Sequence, residues 1–233
     1  MKKTIAIVED EPLIRDNYTD ALQRQGYLVN AFAARAPALK AFKQKLPDLA
    51  IIDVGLGDEM EGGFELCREL RALSKTLPIM FLTARDSEID QISGLRLGAD
   101  DYLTKDISLP HMMARITALF RRLDSFSQIS AQLNSPIERG RLVIDQDKMM
   151  AHWQGQRIEL TVTEFWIVHA LAKHPGHVKN RDQLMEAANT VLDDSTITSH
   201  IKRIRKKFQQ VDGAFSAIQT AYGMGYKWDP SEH

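Results

Sequence analysis

Several side chains that could do chemistry stand at the ends of short apolar runs. Glu9 and Asp10 follow TIAIV (residues 4–8), Asp53 closes LAIID (49–53), Thr83 closes IMFLT (79–83) and Lys105 follows DYLT (101–104). Carboxylates gathered at one place repel unless a cation lies between them, and oxygen-only ligands favour Mg2+. A carboxylate beside Mg2+ can attack a phosphoryl group and form an aspartyl phosphate. A nearby lysine would offset charge on the phosphoryl oxygens, and a threonine hydroxyl could hydrogen-bond one of them. Each group alone also has an ordinary role. Glu9, Asp10 and Glu11 suit a helix N-terminus, Asp53 suits a loop cap, and Lys105–Asp106 suits a surface charge pair.

The elements that must position these residues are visible in the pattern. Short β-type runs at 4–8, 27–31, 49–53, 79–83 and 101–104 alternate with helical patterns over 15–25, 36–44, 64–73, 88–97 and 110–123. This alternation predicts an α/β fold, a doubly wound five-stranded parallel sheet covered on both faces and joined by right-handed crossovers. Its ligand site belongs at the carboxyl ends of the strands, where the acids, Thr83 and Lys105 would meet.

Serine, glutamine and proline enrich DSFSQISAQLNSP, so residues 124–137 read as a linker between a first domain, 1–123, and a second, 138–233. The second reads as α+β. Short strands are predicted at 141–144, 149–153 and 157–160. Thr161 and Glu164 form a capping-box pattern before a helix, and Asn180 with Gln183 offers a second cap. A third helix spans 195–209, and a hairpin surrounds AYGMG.

Composition narrows the classes. The chain has 233 residues, 44% hydrophobic, enough for packed cores and too apolar for a disordered protein. A net charge of −1 leaves polyanion binding to local patches. The single cysteine, Cys67, excludes an intrachain disulfide and fits a reducing compartment. The apolar run Ile5–Val8 is too short for a signal peptide or a membrane span, so the expected location is the cytoplasm.

One local patch is evident. In STITSHIKRIRKKFQ (195–209), Ile197, Ile201, Ile204 and Phe208 form one apolar stripe, while Lys202, Arg203, Arg205, Lys206 and Lys207 occupy the remaining faces with no acid among them. Such a helix suits DNA phosphates, and Ser195, Thr196, Thr198 and Ser199 could reach phosphates or bases. A solvated basic helix is the plainer alternative.

The segments VEDE (8–11), IIDVGL (51–56), LTAR (82–85) and GADDYLTK (98–105) resemble the receiver domain of bacterial response regulators over residues 1–123. That resemblance implies phosphorylation of Asp53, Mg2+ held by Glu9, Asp10, Asp53 and the Gly55 carbonyl, phosphoryl contacts from Thr83 and Lys105, and switch roles for Thr83 and Tyr102. LTVTEFWIVHAL (160–171), SHIKRIRKKF (199–208) and IQTAYGMGYKW (218–228) resemble the winged-helix output domain of OmpR/PhoB-type regulators. The basic helix would then enter the major groove, with the hairpin against the DNA backbone or minor groove. The implied partners are a sensor histidine kinase, promoter DNA, a second copy of the chain and RNA polymerase. A further resemblance, carried by LTKDIS (103–108) and the acidic loop, is to regulators encoded beside a dedicated sortase system in proteobacteria.

Several departures from the family pattern bear on function. Asp106 stands where a proline, usually in cis linkage, follows the lysine. Either a trans bond with a rearranged loop or a strained cis bond is expected, with Lys105 aimed less firmly. The loop GLGDEMEGGF (55–64) is longer than usual and brings Asp58, Glu59 and Glu61 near the site, as a plain solvated loop or as a tuning element. On the dimer face, Asp101 and Arg115 keep one charge pair, but Gln91 with His111 and Arg96 with Arg122 do not keep the other two. Association is expected to be weak or differently arranged. Tyr222 replaces the usual wing arginine. Two rivals stand beside the regulator reading. A phosphatase-like enzyme would turn over at Asp53, although Gly55 lacks the acid–base carboxyl it would need. A DNA-binding protein could also use its receiver only for assembly, without phosphorylation.

Overall fold

The computed structural model describes residues 2–85, 87–129, 136–146, 148–188 and 194–229; within its helices, the side chains at 88–89, 91–92, 122–129 and 194–196 lie outside the description. The chain divides into two compact units, Met1–Ala114 and Arg115–His233.

Five parallel strands form the first unit's sheet: β1 (Thr4–Val8), β2 (Leu28–Phe32), β3 (Leu49–Ile52), β4 (Ile79–Thr83) and β5 (Asp101–Thr104). Their order is β2-β1-β3-β4-β5. β3 and β4 are buried at every position, which explains why their sequences lack polar alternation. β2 is an edge strand and mostly exposed. Chain order reverses between β1 and β3, and the crevice at such a switch point opens at their carboxyl ends. Glu9 and Asp10 leave β1 there, and Asp53 leaves β3.

The interleaved helices are α1 (Pro12–Arg24), α2 (Arg35–Gln44), α3 (Gly62–Leu73), α4 (Glu88–Leu97) and α5 (Leu109–Ile129). α1 starts earlier than the apolar spacing predicts, at a proline, whose fixed φ suits the first turn. α3 also starts early, at Gly62–Gly63. A Cβ on Gly63 would lie 1.9 Å from the Asp53 carbonyl oxygen, so glycine is what lets α3 press against the end of β3. α5 runs past its expected end at Leu123 and continues through residues 124–129.

The second unit holds a four-stranded antiparallel sheet of β6 (Ile137–Arg139), β7 (Leu142–Asp145), β8 (Met150–Trp153) and β9 (Gln156–Ile158). α6 (Val162–Lys173), α7 (Arg181–Ala187), α8 (Asp194–Val211) and the hairpin β10 (Ile218–Ala221)–β11 (Gly225–Trp228) follow. Both expected capping boxes form, Thr161 with Glu164 and Asn180 with Gln183. The stripe Ile197, Ile201, Ile204 and Phe208 is fully buried, and Phe208 stacks on Phe215 beside Trp153 and Trp228. No helix among the described residues is long and apolar enough to cross a membrane.

Candidate functional site

Carboxylate oxygens of Glu9, Asp10 and Asp53 all lie within 4.8 Å of one another. The set contains only oxygen donors and Glu9 and Asp53 are buried, so it has the chemistry and the spacing for a hard divalent cation. Gly55 lies at the same strand end, in the loop leaving β3. Lys105 crosses from β5 to join the acids, with Nζ 2.6 Å from Asp53 Oδ2 and 2.9 Å from Glu9 Oε1.

The electrostatics follow from this crowding. Burial raises the Glu9 pKa, and the Asp53 charge adds to the effect against the opposing pull of Lys105. Burial works against the charge on Lys105, but hydrogen bonds and charges from Asp53 and Glu9 outweigh it and hold the ammonium above the ordinary lysine value. Tyr18 on α1, absent from the sequence-based site, is buried near enough for these charges to act on it. Its pKa is raised, first by burial.

No cis peptide occurs among the described residues, so Lys105–Asp106 is trans. A trans bond is the first of the two expected arrangements, and with it Lys105 reaches both Glu9 and Asp53. The Lys105 amide donates to the Thr83 carbonyl at 2.8 Å, which anchors the residue to the end of β4 without help from proline. The Asp106 carboxylate accepts from the Thr104 hydroxyl instead of pairing with Lys105.

Thr83 is 1% exposed, and its hydroxyl accepts from the Arg85 amide at 3.3 Å. Tyr102 is turned inward, and its hydroxyl donates to the Arg85 carbonyl at 3.0 Å. Arg85 reaches on to the Met60 carbonyl at 2.7 Å, tying the loop after Thr83 to the long acidic loop. In that loop Glu59 is held by Arg35, with Nε 2.6 Å away, so it is not a free mouth carboxylate. Neither arginine was singled out from the sequence, because both act over long sequence separations.

On the expected dimer face, Arg96 and His111 are exposed and Arg115 is half-buried. Asp101 is buried and accepts from the Tyr102 amide. The side chains of Gln91 and Arg122 lie outside the described residues.

The basic helix α8 differs most from its sequence reading. Lys202 and Lys206 are exposed, as expected for phosphate contacts. Arg203 and Lys207 instead turn to Glu164, a fully buried carboxylate on α6. Arg205 donates to the Ile218 carbonyl at 2.8 Å and to Thr220 Oγ1 at 2.9 Å, fastening α8 to the hairpin. Thr198 is exposed and accepts from the Tyr226 hydroxyl at 3.3 Å, and Ser199 is half-buried. The side chains of Ser195 and Thr196 lie outside the described residues. Tyr222 is 92% exposed at the hairpin tip.

The chain's two halves each match a family model. Residues 5–117 match the response regulator receiver domain, and residues 155–228 match the C-terminal domain of transcriptional regulatory proteins. The chain belongs to the response regulators, in the OmpR/PhoB family of receiver plus winged-helix-type DNA-binding domain. It is similar to the transcriptional regulatory protein CreB of Escherichia coli K12, 38% identical over 229 residues and 97% of each chain. It is also similar to the transcriptional regulatory protein BaeR of E. coli O6:H1, 36% identical over 97% of this chain and 92% of that one. Among solved structures, the response regulator DrrB of Thermotoga maritima is 27% identical, with a TM-score of 0.52 over 98% of this chain and 100% of the other. These relatives are regulators.

Proposed function

We propose that Asp53 accepts a phosphoryl group from a sensor histidine kinase and that this changes how the chain assembles on promoter DNA in the cytoplasm. The observation that carries the reading is Lys105 Nζ, 2.6 Å from Asp53 Oδ2, beside three carboxylates within 4.8 Å of one another. Glu9, Asp10, Asp53 and the Gly55 carbonyl would hold Mg2+, which supplies charge neutralisation for the transferring group. An Asp53 oxygen attacks phosphorus as the phosphorus–nitrogen bond to the kinase histidine breaks, and the electron pair stays with the imidazole. Lys105 moves from carboxylate to phosphoryl oxygen. The Thr83 hydroxyl turns toward another phosphoryl oxygen, leaving the Arg85 amide, and the shift reaches Tyr102 through the Arg85 carbonyl.

At the output end, α8 meets DNA with Lys202, Lys206 and the hydroxyls of Ser195, Thr196, Thr198 and Ser199, while Tyr222 meets the duplex from the hairpin. RNA polymerase is the further partner of a DNA-bound copy. The like-charged pair Arg96/Arg122 favours a weak or rearranged homodimer. The LTKDIS segment and the acidic loop support placing the chain among regulators of a dedicated sortase system.

The test is binding to duplexes selected from a random pool by the full chain, with and without acetyl phosphate. Phosphorylation should tighten wild-type binding and leave Asp53→Asn unchanged. Equal binding by both proteins under both conditions would support the second reading, a phosphorylation-independent regulator.

A further inference from the structure

α8 carries five cations, Lys202, Arg203, Arg205, Lys206 and Lys207, and no acid over residues 195–209. The acid that faces it comes from another element. Glu164 sits at the first turn of α6 and is fully buried. One of its oxygens accepts from Arg203 Nε, and the other accepts from Lys207 Nζ at 2.6 Å and from the Thr161 amide at 2.7 Å. The Arg203 side chain is 12% exposed and also meets His200 Nδ1 at 3.0 Å. Burial disfavours the Glu164 anion, but the Arg203 and Lys207 charges overcome it and hold its pKa at about 2.

The helix geometry gives this a consequence. Arg203 and Lys207 are four residues apart and share a face, as do Lys202 and Lys206 on the neighbouring face. α8 therefore has two basic faces, and Glu164 draws one of them inward. Lys202 and Lys206 are exposed and have no ion-pair partner among the described residues. They stand about 6 Å apart along the helix axis.

We propose that Glu164 is the selectivity-setting residue of the DNA-binding helix: by holding Arg203 and Lys207 it confines the helix's phosphate grip to Lys202 and Lys206. This rests on the DNA-binding reading above. Phosphate contacts supply sequence-independent affinity, with each neutralised phosphate adding about 0.9 to the slope of log affinity against log salt. Withholding two cations lowers binding to arbitrary DNA and leaves base contacts a larger share of the discrimination. Glu164 acts on DNA only through these partners, so it is a positioning residue.

The experiment uses the full chain and a short mixed-sequence duplex, followed by fluorescence anisotropy over a series of KCl concentrations. Lys202→Met and Lys206→Met should each flatten the slope by about 0.9, and Lys207→Met should leave it at the wild-type value. Glu164→Gln keeps an amide oxygen for the Thr161 cap and frees two cations. It should steepen the slope by about 0.9–1.8 and tighten binding to this non-specific probe, an effect opposite to that of simple destabilisation. If Glu164→Gln does not fold, as judged by tryptophan fluorescence, the Lys207→Met and Lys206→Met contrast decides alone. Equal flattening by those two variants, or an unchanged slope in folded Glu164→Gln, overturns the proposal while leaving DNA binding intact. A wild type with no salt-dependent duplex binding would overturn both readings.

Discussion

Lys105 Nζ lies 2.6 Å from Asp53 Oδ2 and 2.8 Å from Glu9 Oε2, so a lysine from the end of β5 bridges acids from the ends of β1 and β3. Its ammonium occupies charge that a metal ion would otherwise compensate. Lys105→Met should therefore strengthen Mg2+ binding by about tenfold, equivalent to about 1.4 kcal/mol. It should also slow phosphoryl acceptance. Calorimetric Mg2+ titration checks the first effect, and unchanged or weaker binding would contradict it.

Gly63 sets the distance between α3 and the phosphoacceptor. A Cβ there would meet the Asp53 carbonyl oxygen at 1.9 Å, which backbone movement alone can relieve. Gly63→Ala should destabilise the receiver by about 3 kcal/mol and displace Asp53. Circular dichroism should show earlier receiver unfolding, while tryptophan fluorescence stays unchanged, because Trp153, Trp166 and Trp228 all lie in the other unit.

The second unit should lose stability in acid in two stages. His169 is buried against Phe165 and Trp166, and burial, with the charge of Lys173, lowers its pKa from 6.5 to about 4. The unfolded chain thus takes up this proton before the folded one. The contribution is fully present above pH 6.5 and is lost as pH falls toward 4, by about 3 kcal/mol. Glu164 adds stability that is present above its ordinary 4.5 and lost as pH falls toward about 2. Urea unfolding followed by tryptophan fluorescence should show the first loss in wild type, and His169→Phe should flatten it. Equal slopes in both proteins would exclude His169 as the cause.

Assembly should respond to charge reversal on the face carrying Arg96. Arg96→Glu would place an acid opposite Arg122 in the proposed pairing and should tighten the phosphorylated dimer by about threefold, the scale of an exposed ion pair. Analytical ultracentrifugation with the beryllofluoride-treated chain measures this. No change, or a weaker dimer, would place the interface elsewhere.

Local patterns in the sequence carried much of this fold. α4 and β5 have their expected limits because Gly98 ends the helix in a left-handed turn and DYLT is a compact β run. β6 went unseen because IER is too short to display a period. The end of α5 was placed too early because serines in 124–129 are poor helix formers, and a continuing helix overrides such weak preferences. At the site, local pattern put Glu9, Asp10, Asp53, Thr83 and Lys105 at strand ends, and the fold brings the three acids and Lys105 together. The basic helix was harder. Counting acids within 195–209 could not detect Glu164, which is 39 residues before Arg203 and had an evident local role as a helix cap. Arg35 and Arg85 were hidden for the same reason, since their partners lie 24 and 25 residues away.

The most direct test of the account is intact mass after treatment with acetyl phosphate and Mg2+, on wild type and Asp53→Asn. The account predicts one added phosphoryl group on wild type and none on the variant. A wild type that binds Mg2+ yet gains no mass, or a variant that gains the same mass, would contradict Asp53 as the phosphoacceptor.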